Sequence, residues 1–211
     1  MKSAFYIICL SLILVSCNKD PIQYTFEGTI TEDQTGSPLS GVEVSIYQKP
    51  FNNSVTTDNF DLAASTITDE NGYYIMTFDR EKVIEFKLNI EKDDYFKTDI
   101  ILNSGEISSE NTNVVDYQMG AKSWVQFDIQ NNLPGNSNDH LNLLLLNYKE
   151  GCDGCADADS YSFLGITDTT ATYASTAGQH FNFTYIVVGV ESLSDSVYMT
   201  PFDTTFYSIN Y

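Results

Sequence analysis

The sequence predicts an all-β chain folded as two tandem β-sandwich domains, and three observations carry that expectation. Apolar and polar side chains alternate with period two along the chain, no stretch sustains helical periodicity, and turn signals recur at sheet-like intervals. The chain has 211 residues, 42% of them apolar and 13% aromatic, which is enough to build cores despite a formal charge of -19. The balance of 10 basic against 29 acidic residues also excludes partners. Such a surface repels nucleic-acid phosphate and anionic lipid headgroups, so no nucleic acid is expected to bind.

The elements follow in order from the amino terminus. Lys2 precedes a nearly uninterrupted apolar run from Ala4 to Val15. At about 12 residues this run has the proportions of a signal-peptide core and falls well short of the ~20 that a spanning helix needs. It ends in Leu14-Val15-Ser16-Cys17, which resembles the bacterial lipobox. The resemblance implies that residues 1–16 are a lipoprotein signal peptide, that Cys17 is lipidated, and that residues 17–23 form the tether. An ordinary signal peptide with an incidental cysteine is the alternative. Asn18-Lys19-Asp20 after that cysteine resembles the surface-export signal of Bacteroidetes-type lipoproteins. The implied location is the cell envelope, as an outer membrane lipoprotein, surface-exposed if the export signal operates. The implied membrane partner is reached through lipid, since each buried methylene contributes about 0.8 kcal/mol. Loss of residues 1–16 removes one Lys, leaving 9 basic against 29 acidic residues and a charge of -20.

Residues 24–120 and 121–211 are expected to be the two domains, with a boundary near Gly120. Clear strand patterns are Val42, Val44, Ile46; Ile84, Phe86, Leu88, Ile90; Val125, Phe127, Ile129; and Phe181, Phe183, Tyr185, Val187. A final strand of the first segment is expected over Val114–Met119, and Trp124 opens the second run of alternation. Thr35-Gly36, Asn71-Gly72 and Pro134-Gly135 mark turns, with Asn71 and Gly72 expected to supply positive φ angles. Charge divides as -12 over residues 22–120 (6 basic, 18 acidic) and -8 over 121–211 (2 basic, 10 acidic). Neither segment offers a basic face.

In the first segment, Gly28-Thr29-Ile30, Gly36, Pro38-Leu39, Gly41-Val42, Val44 and then Thr68-Asp69-Glu70-Asn71-Gly72 with Tyr74 resemble the carboxypeptidase regulatory-like domain. That family is a transthyretin-like, seven-stranded sandwich, and the resemblance implies a module without chemistry. The match covers about residues 24–118. Two departures stand out: a long connection from Tyr47 to Leu62 through Asn52-Asn53, and Asp93-Asp94 before Tyr95, where the family commonly has a glycine. The second segment is expected to be an immunoglobulin-like or related sandwich on pattern alone.

Cys152-Asp153-Gly154-Cys155 is the most distinctive local feature. Its spacing suits a small disulfide, a redox pair, or half of a zinc site completed by His140 and His180. The disulfide is preferred, because the context is β and a carboxylate stands between the two thiols. Asp153, Asp157 and Asp159 form an acidic loop that is either simply solvated or a calcium site. Tyr161, Tyr173, Tyr198 and Tyr207 either fill the core or present rings to a ligand. Asp195-Ser196-Val197 resembles a short O-glycosylation motif of Bacteroidetes exported proteins. No nucleophile elbow, zincin motif or P-loop is present, and His140 lacks an H-x-x-E partner. The functional expectation is a non-catalytic, lipid-anchored envelope protein acting as a binding or structural module, with a protein or glycan partner and no cofactor. The alternatives are a glycan-binding component of a surface nutrient-uptake system and, less favoured, a hydrolase.

Overall fold

The computed structural model describes residues 22–51, 59–132, 135–136 and 138–211. The expected signal peptide, Cys17 and the loop residues Asn52, Asn53 and Pro134 lie outside the described residues. The rest is all-β, as the alternation requires. The strands are β1 (Gln23–Glu32), β2 (Glu43–Pro50), β3 (Asp61–Ile67), β4 (Tyr73–Asp79), β5 (Val83–Glu91), β6 (Thr98–Asn103), β7 (Asn113–Val114) and β8 (Tyr117–Met119). They continue as β9 (Lys122–Gln130), β10 (His140–Leu145), β11 (Ser160–Leu164), β12 (Asp168–Thr176), β13 (His180–Val187), β14 (Glu191–Tyr198) and β15 (Thr204–Asn210). One 3-10 turn at Ser104–Glu106 interrupts them, and among the described residues no helix is long and apolar enough to cross a membrane.

The strands form two sandwiches. The first packs β4-β1-β7, with β8 also pairing β1, against β3-β2-β5-β6; the second packs β12-β9-β15 against β11-β10-β13-β14. Residue by residue these are one topology used twice. In each, the opening strand pairs antiparallel with the fourth and parallel with the last. The second segment therefore repeats the strand order of the first, which its sequence pattern did not reveal.

Alternation decides which residues face inward. In β1 the sequence QYTFEGTITE buries every second residue, Tyr24, Phe26 and Ile30 among them. Phe78 and Phe86 each meet both Tyr24 and Phe26, forming an aromatic cluster at centroid spacings of 5.2–6.1 Å. The second core centres on Phe127, whose ring stands edge-on to Phe183 at 4.9 Å. Two alanines of the second segment, Ala121 and Ala177, belong to the first core. Packing thus runs past the expected boundary at residue 120.

Two glycines of the quoted pattern have steric reasons. A Cβ on Gly28 would lie 2.0 Å from the Val115 carbonyl oxygen, because the β7–β8 crossover passes directly over β1 there. The expected single strand over Val114–Met119 is consequently two short strands: Val115 N–H donates to Glu27 O at 2.8 Å, while Asp116 accepts from Thr29 N–H at 2.7 Å. Gly72 has φ 71°, and a Cβ there would lie 2.4 Å from Ile30 O. Asn71 does not share the positive φ. Asp69 holds that turn instead, its Oδ1 accepting from the N–H groups of Asn71 (2.8 Å) and Tyr73 (2.9 Å).

Candidate functional site

The two sandwiches meet end to end through loops. The first contributes the connection after β1, the β5–β6 turn at Lys92–Lys97 and the chain leaving β8; the second contributes the connections after β10, β12 and β14. Residues 119–122 are bonded on both sides. Asp33 N–H donates to Met119 O (3.0 Å), Phe96 N–H to Gly120 O (3.0 Å), Ala177 N–H to Ala121 O (3.0 Å), Lys122 N–H to Asp94 O (2.8 Å), and Phe202 N–H to Lys122 O (2.8 Å).

Side chains reinforce this seam. Phe96 is 7% exposed and receives two ammonium groups: Lys149 Nζ at 4.5 Å from the ring centroid and Lys122 Nζ at 5.8 Å. These are both cations of residues 121–211. Two acidic bodies thus join where the second places its entire positive charge on an aromatic ring of the first. Desolvated contacts of this kind contribute about 2 kcal/mol, exposed ones about half that.

Beside the seam lies a cleft of about 510 Å3, lined by Glu32, Gln34, Thr35, Ser37, Leu39 and Tyr95 from the first sandwich and by Gly178, Tyr198, Pro201 and Phe202 from the second. Glu32 is buried and its carboxylate accepts both the N–H and the hydroxyl of Thr35. Tyr95 stands 5.4 Å from Phe202, and its hydroxyl pKa is raised by burial and by the charges of Glu32 and Asp94. Phe202 and Tyr198 are 49% and 51% exposed. Phe202 (φ 64°) and Asp94 (φ 63°) are the two non-glycine residues with positive φ among the described residues, and both flank Lys122 in the seam. For a bulky ring this conformation costs about 1–2 kcal/mol. Asp94 tolerates it as a short polar side chain.

The other sequence-predicted residues are scattered. Cys152 and Cys155 have Cα atoms 5.2 Å apart with their sulfurs in contact, and the loop is pinned to β12 by Ala174 N–H donating to Gly154 O at 2.7 Å. His140 opens β10, whereas the cysteines follow the other end of that strand and His180 opens β13. Among the described residues no three His, Cys, Asp or Glu side chains converge as metal ligands. The proposed zinc set is split between strand ends, and the calcium reading of Asp153, Asp157 and Asp159 finds no convergent site. Asp157 is instead held by the Tyr161 hydroxyl at 2.6 Å.

The four tyrosines form no common platform. Tyr173 is buried with Tyr161 packed on it at 5.0 Å, and Tyr207 packs against Phe183 while donating to Asp195 at 2.8 Å. Tyr198 alone is exposed. Ser196 Oγ lies 3.4 Å from His180 Nδ1 on the open face of β13 and β14, but Asp195 is occupied by Tyr207 and by Ser196 N–H. Phe96, Phe202, Lys122 and Lys149 escaped the sequence reading. The count of only two cations in the second half was the available signal.

No family model and no curated protein matches the chain. Among solved structures it is similar to the Bacillus anthracis TIE protein (11% identity, TM-score 0.38, covering 90% of this chain and 34% of that one). It is also similar to the minor pilin of Streptococcus agalactiae (10%, 0.38, 89% and 94%) and to the shaft pilin SpaA of Lactobacillus rhamnosus GG (10%, 0.35, 90% and 97%). The chain spans about a third of the TIE protein's length. At these identities the likeness assigns neither activity nor ligand.

Proposed function

We propose that the chain is a non-catalytic cell-envelope protein, anchored by lipid on Cys17, whose two sandwich domains form one stiff binding module. The observation that carries this reading is the seam at residues 119–122, bonded from both sides and clamped by Lys122 and Lys149 on Phe96. β1 runs from the amino-terminal side toward the seam and β9 runs away from it, so the second sandwich stands on the first. Strands of 10 and 9 residues laid end to end reach about 60 Å at ~3.3 Å per residue. The acidic surface keeps such a body off anionic headgroups, which leaves attachment to the acyl chains. Cys152 and Cys155 act in this reading as a disulfide that shapes a loop tip.

Cell fractionation tests the anchor. The native chain partitions with membranes and Cys17→Ala is released; unchanged partitioning rejects lipidation. Small-angle scattering of the released Cys17→Ala protein tests the stiff body, which predicts one narrow distribution of lengths.

A further inference from the structure

The cleft beside the seam combines features that the seam itself does not need. Locking the two sandwiches is accomplished by backbone hydrogen bonds and by the buried Phe96. Phe202 packs on Tyr95 across the seam, yet it holds a strained backbone angle and remains 49% exposed, and Tyr198, four residues earlier, is as exposed. Large rings left open in a cleft between two bodies form an apolar wall ready for a ligand. The first sandwich adds Leu39 and Tyr95 to the apolar lining and supplies the Gln34 amide and the Ser37 hydroxyl, the Thr35 hydroxyl being held by Glu32.

An apolar wall facing uncharged hydrogen-bonding groups complements a molecule with a C–H face and a rim of hydroxyls. Charge narrows the class further. The nearest carboxylate, Glu32, lines the cleft, no Lys or Arg does so, and the chain carries -19 overall. Anionic ligands would be repelled. The volume of about 510 Å3 falls within the range of roughly 300–1,000 Å3 usual for small-ligand sites.

We infer that the inter-sandwich cleft is a binding site for an uncharged glycan, with sugar rings stacked on Phe202 and Tyr198 and hydroxyls bonded to Gln34 and Ser37. This rests on the binding-module reading above and names its ligand class. It moves the recognition surface from the second sandwich alone to the boundary between the two.

The test uses the full chain on an array of neutral and uronic-acid oligosaccharides, followed by titration with the best neutral oligosaccharide retained. Neutral glycans are expected to bind and uronic-acid oligomers to be excluded. Tyr198→Ala and Phe202→Gly should each weaken binding at least tenfold, while Phe60→Ala on the outer face of the first sandwich should not. Glycine adopts the same φ without strain, so Phe202→Gly keeps the turn but loses the Tyr95 contact, and an unchanged Tm in Tyr198→Ala, at an exposed position, separates lost stacking from lost structure. Retention of no neutral glycan, preference for the uronic-acid oligomers, or affinity unchanged in both cleft variants would each overturn the inference. Those results leave membrane partitioning through Cys17 and the scattering length untouched, so the anchored-module reading is tested separately.

Discussion

In the first sandwich the closing strand is broken over Gly28 and the connections at the seam carry aromatic rings, whereas in the second β15 pairs unbroken with β9 from Thr204 to Asn210 and the seam carries ammonium groups. Both nevertheless adopt one strand order. Inward alternation and cross-strand pairing are enough to specify that order, while the connections are free to diverge and take on function. The seam illustrates this: it is made almost wholly of connections, with Lys122 and Lys149 of the second sandwich on Phe96 of the first and Phe202 of the second on Tyr95 of the first.

Breaking either core should have the largest effect and shows whether the sandwiches unfold together. Phe86→Ala and Phe127→Ala each empty a fully buried position, and each should cost about 3–5 kcal/mol. If the seam couples the bodies, calorimetry shows one transition shifted in both variants; separable bodies give two, with only one shifted.

Next comes the feature that distinguishes the two closing strands. Gly28→Ala forces the Val115 carbonyl away and strains the hydrogen bonds from Val115 N–H to Glu27 O and from the Tyr74 hydroxyl to Val115 O. Overpacking of this sort costs roughly 1–3 kcal/mol. Amide exchange should rise across β7 and β8 and stay unchanged in β15.

Phe96→Ala removes the ring that receives both cations of the second segment. A loss of about 3 kcal/mol is expected, because truncating this buried ring removes its buried area along with the cation–π contacts, together with a broader distribution of lengths in small-angle scattering. An unbroadened distribution would show that the backbone bonds of residues 119–122 suffice to hold the seam.

Acid should distinguish the sandwiches more gently. Asp139 is held below the usual carboxylate range by the Asn131 amide and the Asn136 N–H, and Asp195 by the Ser196 N–H and the Tyr207 hydroxyl. Both belong to the second sandwich. A lowered folded pKa means stability that is present above the unfolded value, about 3.9, and lost as pH falls through the folded value. Melting followed below about pH 4 should therefore weaken the second sandwich, and Asp139→Asn should flatten that dependence. The smallest effect is expected from reducing Cys152 and Cys155. Closing so short a loop removes little chain entropy, so Tm should barely move while the loop signals shift in NMR.

The strands were legible because their signal is local. Phe181, Phe183 and Val187 announce a buried face within one strand, and β13 buries all three. The Asp69–Gly72 turn was equally readable, though the tertiary approach of Ile30 O, and not Asn71, fixes its detail. The scattered tyrosines show the limit. Tyr198 and Tyr207 sit in similar polar surroundings along the chain, and only the pairing of β14 with β13 and of β15 with β9 puts one in solvent and the other on Phe183.

By itself the sequence determined the all-β class, the inward faces and the acidic character of both bodies, since period-two alternation and charge are properties of neighbouring residues. Tertiary structure alone decided that the last strand of each sandwich returns parallel to its first, that Lys122 and Lys149 find Phe96, and that Phe202 is held at φ 64° beside Tyr198. The strand pairings and the lysine–phenylalanine contacts join residues from 26 to 87 positions apart. Their partners are chosen by how whole sheets pack, and no local pattern records that choice.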